Sequence, residues 1–174
     1  MKNLPGWPNF SKEEIQSVSK VLSSNKVNYW TGEECKKFER EFSKWTGANF
    51  SIALSNGTVA LDLALIALGI KAGDEIIVTP RSFIASASSV VNIGATPVFS
   101  DVDSLTGNIT AENIKKKITK KTKAVICVHL GGVPCEIDEI MKLSKKHKLF
   151  VIEDCAQAHG AKYKGRSVGS IGDI

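Results

Sequence analysis

The sequence lacks several features that would assign it to a particular class of protein. None of its apolar runs approaches the roughly 20 residues that a membrane-spanning helix needs. The longest candidate, residues 59–70, contains Asp62 and is typical of a buried helix. The first eight residues have no apolar core followed by a cleavage site, so they do not resemble a signal peptide. A cytoplasmic location is therefore the default expectation.

Patterns that mark metal and nucleotide sites are also missing. The four cysteines, at positions 35, 127, 135 and 155, form no CxxC pair and no zinc-type spacing, so we expect no metal site. Cys127 lies in the apolar run 124–128, where a small buried thiol is the ordinary interpretation. The sequence contains neither GxxxxGK[ST] nor GxGxxG, which argues against a P-loop and against a dinucleotide fingerprint.

A formal net charge of +5 raises the possibility of nucleic-acid binding. Much of this charge lies in lysines of residues 115–123 and 142–148, which alternate with apolar residues at helical spacing. Such a pattern is typical of solvated helix faces. We find no arginine cluster and no basic strip interrupted by aromatic residues, so we expect no nucleic-acid partner.

Two helices are predicted in residues 1–48. Ser11 and Glu14 have the spacing of a capping box, and an apolar stripe follows them. The second helix carries apolar residues on one face and is expected to end at Gly47. We therefore predict an N-terminal helical segment over residues 1–48.

Strands and helices alternate from about residue 49 onward. Apolar runs that predict strands lie at 51–54, 75–78, 97–100, 124–128 and 150–152, and helical patterns lie at 57–68, 83–93, 110–118 and 137–147. Most of the strand runs are continuously apolar, which is typical of strands covered on both faces. The pattern predicts an α/β fold over residues 49–174, with three α/β/α layers and a mostly parallel sheet.

Ligands of open parallel sheets bind beyond the carboxyl ends of the strands, and three unusual stretches fall there. Gly57 and Thr58 begin a helix, where free N–H groups favour an anion such as phosphate, although an ordinary N-cap turn has the same composition. Phe83 follows a strand and has the position to stack on a planar ligand or to join the core.

The third stretch places Asp154 at the end of an apolar strand. A carboxylate there requires a cationic partner, which the protonated nitrogen of a pyridine ring provides. A salt bridge or a capping bond is the alternative. His159, a little further on, is either a base or a structural histidine.

In this order and spacing, eight motifs resemble the DegT/StrS family of sugar aminotransferases, which use pyridoxal 5'-phosphate (PLP) and have the aspartate-aminotransferase fold. The resemblance covers essentially the whole chain. The motifs are WP at 7–8, WTG at 30–32, SNGTVAL at 55–61, GDEIIV at 73–78, GATPVF at 94–99, VHLGG at 128–132, EDCAQAHG at 153–160 and GSIGD at 169–173.

The resemblance implies roles for the matching positions. Gly57 and Thr58 would hold the PLP phosphate, Phe83 would lie against the ring, and Asp154 would pair with the ring nitrogen. Gln157 would lie near the ring hydroxyl oxygen. The less specific candidates for the active site and the substrate cleft are His159, Trp30, Thr31 and Gly32.

The resemblance also implies the activity, which is transfer of an amino group from an amino acid, with glutamate expected, to a nucleotide-linked keto-sugar. Such a reaction belongs to amino-sugar and cell-surface polysaccharide biosynthesis, and the whole enzyme is expected to be a homodimer. No lysine here matches the family's Schiff-base lysine, which we expect beyond Ile174 with the rest of the large domain and the small domain. We therefore expect these 174 residues alone to be inactive. The alternatives are a PLP-dependent sugar dehydratase and a non-catalytic regulatory protein.

Overall fold

The computed structural model describes residue 6 and residues 8–174, so Trp7 of the first motif lies outside the described residues. No helix in this part of the chain is both long enough and apolar enough to cross a membrane. The helices are α1 (Lys12–Ser23), α2 (Glu34–Thr46), α3 (Gly57–Ala67), α4 (Ala85–Asn92), α5 (Ala111–Lys115) and α6 (Ile137–His147). The strands are β1 (Glu75–Val78), β2 (Thr96–Phe99), β3 (Thr122–Val128), β4 (Phe150–Asp154), β5 (Lys162–Tyr163) and β6 (Arg166–Ser167).

Four strands form one parallel sheet in the order β2-β1-β3-β4. The two short strands β5 and β6 form a separate antiparallel ribbon. In the sheet, Val78 lies opposite Phe99, and Val128 lies opposite Asp154. Because the strands are parallel, their carboxyl ends share one edge, as the continuous apolar runs predict.

Each face of the sheet is covered by helices. Strand residues such as Ile126 and Ile152 pack with α3 and α4, whereas Val125 and Val151 pack with α5 and α6 on the opposite face. Successive side chains of a strand point to opposite faces, so each run of apolar residues supplies both cores. The predicted three-layer α/β/α architecture with a parallel sheet is confirmed.

The two N-terminal helices form where the sequence predicts them. Ser11 and Glu14 make the reciprocal capping box of α1, and α2 is followed by Gly47 in the left-handed conformation at φ 83°. Neither helix contains a buried residue in the described structure. The division of the chain into segments 1–48 and 49–174 stays a prediction.

The predicted strand at residues 51–54 is wrong. The Ala53 N–H donates to the Glu39 carboxylate (2.9 Å) rather than to a neighbouring strand, and Ile52 is exposed. An apolar run alone does not show whether a partner strand is present. Here the Glu39 side chain accepts the Ala53 N–H, which a partner strand would otherwise accept. The predicted helix at 110–118 is also shorter than expected, since α5 spans only Ala111–Lys115.

Residues 171–174 run beside the free edge of β4. The Glu153 N–H donates to the Ile174 carbonyl, and the Asp173 N–H donates to the Val151 carbonyl, both at 2.8 Å. The Asp173 carboxylate in turn accepts the Val151 N–H. These bonds fix the GSIGD motif against the strand that carries Asp154.

The packing of α3 on the sheet gives the first test. Leu65 is fully buried against the strands, so Leu65→Ala should lower the free energy of unfolding by about 2–5 kcal/mol. Leu63 lies on the same helix and is 42% exposed, so Leu63→Ala is the matched control, with a markedly smaller loss. Urea denaturation of the two variants measures both values. Equal losses would contradict this packing.

Candidate active site

The start of α3 offers unpaired backbone donors. Asn56 caps the helix by accepting the Val59 N–H (3.0 Å) with its side-chain oxygen. The N–H groups of Gly57 and Thr58 take no part in that bond, and no acceptor for either group is found in the described residues. Gly57 is exposed and Thr58 is half-buried, so both groups can be reached from solvent. The position has the chemistry of an anion site.

This helix start lies at the carboxyl edge of the sheet. Residues 68–74 lead directly from the end of α3 to the start of β1, so the helix ends near the amino edge of the sheet. Because α3 packs along the sheet face through Leu61, Ala64 and Leu65, its other end lies near the opposite edge. Gly57 and Thr58 therefore lie at the edge where β4 ends in Asp154.

Strand alternation places Asp154 on the α3 side of the sheet. Ile152 belongs to the core that α3 covers, and Asp154 is two residues further along the same strand. Residues two apart in a strand point to the same face. The structure thus brings the helix start and the Asp154 carboxylate to the same edge and the same face.

The Asp154 side chain is half-buried and accepts the Ala156 N–H (3.1 Å) through one oxygen. No ion pair to this carboxylate is found among the described residues. Of the two ordinary interpretations of Asp154, the structure therefore shows the local capping bond and not the salt bridge. The second carboxylate oxygen stays available for a cationic ligand.

The neighbouring Glu153 points to the opposite face and joins a buried network. One of its oxygens accepts the N–H groups of Ile171 (2.8 Å) and Gly172 (2.6 Å), and the other bonds His129 Nε2 (3.0 Å). His129 Nδ1 accepts the Cys135 N–H (3.0 Å), so the ring proton must lie on Nε2 and be donated to Glu153.

This network also determines the charge of Glu153. Burial raises the pKa of the Glu153 carboxyl, but the hydrogen bonds from His129 and from the backbone of Gly172 and Ile171 outweigh burial and hold the pKa below its ordinary value. Glu153 is therefore a buried anion whose two carboxylate oxygens both accept hydrogen bonds. This pair was not predicted from the sequence, although a polar residue directly after each of the apolar runs 124–128 and 150–152 was a visible signal.

His129, Glu153 and Cys155 bring three possible metal ligands within 4.8 Å of one another. The two nitrogens of His129 and both oxygens of Glu153 already take part in protein hydrogen bonds. Burial raises the pKa of the Cys155 thiol to about 12, so the thiolate that metals prefer is disfavoured. The chemistry of the cluster is that of a structural hydrogen-bond network.

Gln157 lies in the loop after β4. Its side-chain oxygen accepts the Gly131 N–H (2.7 Å), which leaves the amide NH₂ as the free end of an exposed side chain. Gly131 has φ 60°, a left-handed conformation that suits glycine. A free NH₂ donor at this position fits a partner with an acceptor oxygen.

Phe83 lies between β1 and α4 and is 68% exposed. Placement in the core, the alternative interpretation from the sequence, is therefore wrong. An exposed aromatic ring just beyond a strand end has a free face for a planar ligand. Phe83 thus comes just after β1 at the carboxyl edge of the sheet, where β4 ends in Asp154.

No contact in the described part of the chain joins the remaining sequence candidates to the site residues above. These candidates are His159, Trp30, Thr31 and Gly32. His159 packs edge-to-face on Phe42 of α2, with ring centroids 6.4 Å apart. Trp30 is 88% exposed, and the Thr31 N–H is held by Asn28. Gly32 is required for close packing, because a Cβ there would lie 2.8 Å from the Asn28 carbonyl oxygen.

Solved structures with the same architecture include a putative sugar aminotransferase of Streptococcus pneumoniae in its PLP form, which is 33% identical with a TM-score of 0.91 over 98% of this chain and 47% of that one. The chain belongs to the DegT/DnrJ/EryC1/StrS aminotransferase family, whose sequence model matches residues 8–174. It is 66% identical to an aminotransferase from Psychrobacter cryohalolentis, with a TM-score of 0.95 over 97% of this chain and 42% of that one.

Among curated relatives, the chain is 46% identical to GDP-perosamine synthase of Escherichia coli O157:H7, over 100% of this chain and 48% of the relative. It is 45% identical to dTDP-3-amino-3,6-dideoxy-alpha-D-galactopyranose transaminase of Aneurinibacillus thermoaerophilus, over 94% and 45%. A GDP-4-keto-6-deoxymannose-3-dehydratase structure, solved with a trapped PLP-glutamate adduct, is 30% identical with a TM-score of 0.87, over 98% and 45%. The chain spans less than half the length of these relatives.

The buried network gives a second test. In Glu153→Gln the amide must place its NH₂ group against a donor, either His129 Nε2–H or the two backbone N–H groups. Because the Cys135 N–H holds His129 in one tautomer, no rearrangement relieves this contact. We expect the free energy of unfolding at pH 7 to fall by about 1–3 kcal/mol in urea denaturation.

Glu136→Gln is the matched control, since its amide oxygen can still accept the Tyr163 hydroxyl. The pKa of Glu153 is lowered on folding, so its contribution is fully present above the unfolded pKa of about 4.3 and is lost as the pH falls through the folded pKa. The difference between wild type and Glu153→Gln should therefore shrink below about pH 4. A difference that is constant from pH 7 to pH 3 would contradict the role of the carboxylate.

Proposed function

We propose that this chain forms the PLP-binding part of an enzyme that transfers an amino group from an amino acid to a nucleotide-linked keto-sugar. One observation carries the proposal: the start of α3 and the Asp154 carboxylate lie at the same edge and on the same face of the sheet. A cofactor with a phosphate at one end and a cationic ring nitrogen at the other needs this pair of partners.

The donor set fits PLP at each of its polar groups. The N–H groups of Gly57 and Thr58, with the Thr58 hydroxyl, would hold the phosphate. Asp154 would hold a proton on the ring nitrogen, Gln157 would donate its free NH₂ to the ring oxygen, and Phe83 would cover one face and exclude water. PLP supplies an electron sink at the carbon that carries the amino group.

The sugar class is inferred from the relatives. A GDP-perosamine synthase and a dTDP-amino-sugar transaminase are each at least 45% identical to this chain. Glutamate is the expected donor, and the pathway class is amino-sugar and cell-surface polysaccharide biosynthesis. The whole enzyme is proposed to be a cytoplasmic homodimer. A PLP-dependent sugar dehydratase is the second candidate, favoured by the similarity to the 3-dehydratase structure.

No lysine of this chain matches the motif position of the family's Schiff-base lysine. The described site residues can bind and orient a cofactor, but none supplies that amine. We therefore propose that the 174 residues alone lack transaminase activity. A non-catalytic role is disfavoured, because a mere scaffold requires neither the free N–H groups of α3 nor a half-buried carboxylate without an ion pair.

Asp154 gives the test of the ring-nitrogen contact. In the full-length protein, Asp154→Asn should lower kcat on the order of 100-fold or more, because a neutral amide cannot stabilise the protonated nitrogen. Steady-state kinetics with nucleotide-linked keto-sugar and glutamate measure the loss. Asp138→Asn, which changes an exposed acid of α6, is the control and should leave kcat unchanged. Full activity of Asp154→Asn would remove Asp154 from this role.

Gly57 gives the test of the phosphate contact. A Cβ at position 57 would meet no protein atom within 4 Å, so Gly57→Ala leaves the fold intact and should not destabilise α3. The methyl group would nevertheless crowd an anion at the helix start, and we expect the PLP dissociation constant of the full-length protein to rise roughly tenfold or more. Cofactor titration and thermal unfolding without PLP separate the two effects. Unchanged PLP affinity would place the phosphate elsewhere.

A further inference from the structure

Arg81 has a charged side chain that the described residues do not neutralise. It follows β1 by three residues, is exposed, and forms no ion pair within the described part of the chain. Its own N–H is held by the Thr79 hydroxyl (3.1 Å), and Thr79 is buried. The backbone at Arg81 is therefore fixed, while its guanidinium group keeps its hydrogen-bond donors.

Gly107 makes room for this guanidinium group. A Cβ at position 107 would lie 2.8 Å from Arg81 Cζ and 3.3 Å from Nε, so any side chain there would displace Arg81. Gly107 also has φ 72°, which disfavours other residues independently. The Arg81 side chain thus occupies a space that the neighbouring loop leaves open.

The loop that carries Gly107 is held by its own hydrogen bonds and forms no ion pair with Arg81 in the described part of the chain. Gly107 donates its N–H to the Asp103 carbonyl (2.8 Å), and Asn108 is buried. One Asp103 carboxylate oxygen accepts two backbone N–H groups and the Thr106 hydroxyl. These bonds also lower the pKa of Asp103, which stays an anion paired with its own loop rather than with Arg81.

The position of Arg81 sets its distance from the reacting centre. Arg81 follows β1 and Gly107 follows β2, so both lie at the carboxyl edge that carries Asp154. In the order β2-β1-β3-β4, β1 lies two strands from β4, which corresponds to about 10 Å. Arg81 is therefore at the cofactor edge but displaced toward β2.

We propose that Arg81 binds the diphosphate of the nucleotide-sugar substrate, an inference that rests on the proposed function. A guanidinium group forms paired hydrogen bonds with phosphate oxygens, and this one has no protein partner to give up. The carboxylate of an amino-acid donor is bonded to the reacting carbon itself, so it must lie within a few bonds of the cofactor. The diphosphate is separated from the reacting carbon by part of the sugar ring, which suits the displaced position of Arg81.

The test uses the full-length protein and the Arg81→Gln variant. We expect KM for the nucleotide-linked sugar to rise tenfold or more, with kcat and KM for glutamate within about threefold of wild type. Calorimetric titration with GDP, UDP and dTDP provides a readout independent of turnover. The nucleoside diphosphate that binds the wild type should bind Arg81→Gln at least tenfold more weakly.

Two further variants keep the inference falsifiable. Gly107→Ala displaces the guanidinium group without removing its charge, but it also strains the backbone at φ 72°, so circular dichroism must first show that this variant is folded. The folded variant should show the same rise in KM, whereas Arg166→Gln, which removes an arginine paired with Asp138, should change neither KM nor diphosphate affinity. Unchanged sugar KM and diphosphate affinity in Arg81→Gln, or an increase confined to glutamate KM, would overturn the assignment. A wild type that binds a nucleoside diphosphate through Arg81 but transfers no amino group would instead refute the proposed function alone.

Discussion

The alternation of side chains along β4 is the constraint on which the candidate site depends. Glu153 and Asp154 are adjacent carboxylates, and the strand directs them to opposite faces of the sheet. Glu153 is buried and satisfied by His129 and two backbone N–H groups, whereas Asp154 faces the α3 side and keeps an oxygen free. A shift of one residue in this strand would bury the wrong acid and would turn the functional one away from the helix start.

Glu153, the buried carboxylate, helps to hold in place the strand that carries Asp154. Through Glu153, the loop after β3 and the segment 169–174 are both attached to the strand that carries Asp154. A Cβ at Gly172 would lie 2.8 Å from the Val151 carbonyl oxygen, so only glycine permits this close approach. The strand that carries Asp154 is thus held by both segments. A charged group that is already held in place does not have to reorganise when it binds a ligand.

Local patterns in the sequence were sufficient for much of the fold. Continuous apolar runs predicted β1, β2, β3 and β4 and a parallel sheet, and Ser11 with Glu14 predicted the start of α1. The run at 51–54 failed because strand formation depends on a partner strand, and Glu39, more than ten residues away, takes the Ala53 N–H instead. The motifs for Gly57 and Asp154 were visible in the sequence, whereas the pairs Glu153–His129 and Arg81–Gly107 join residues more than 20 positions apart and required the three-dimensional structure.

The central claim is that one cofactor bridges the start of α3 and the end of β4. A crystal structure of the full-length protein with PLP tests this claim most directly. We predict phosphate oxygens within about 2.7–3.2 Å of the backbone nitrogens of Gly57 and Thr58, with the ring nitrogen at a similar distance from the Asp154 carboxylate. A phosphate bound elsewhere, or a ring nitrogen facing away from Asp154, would contradict it.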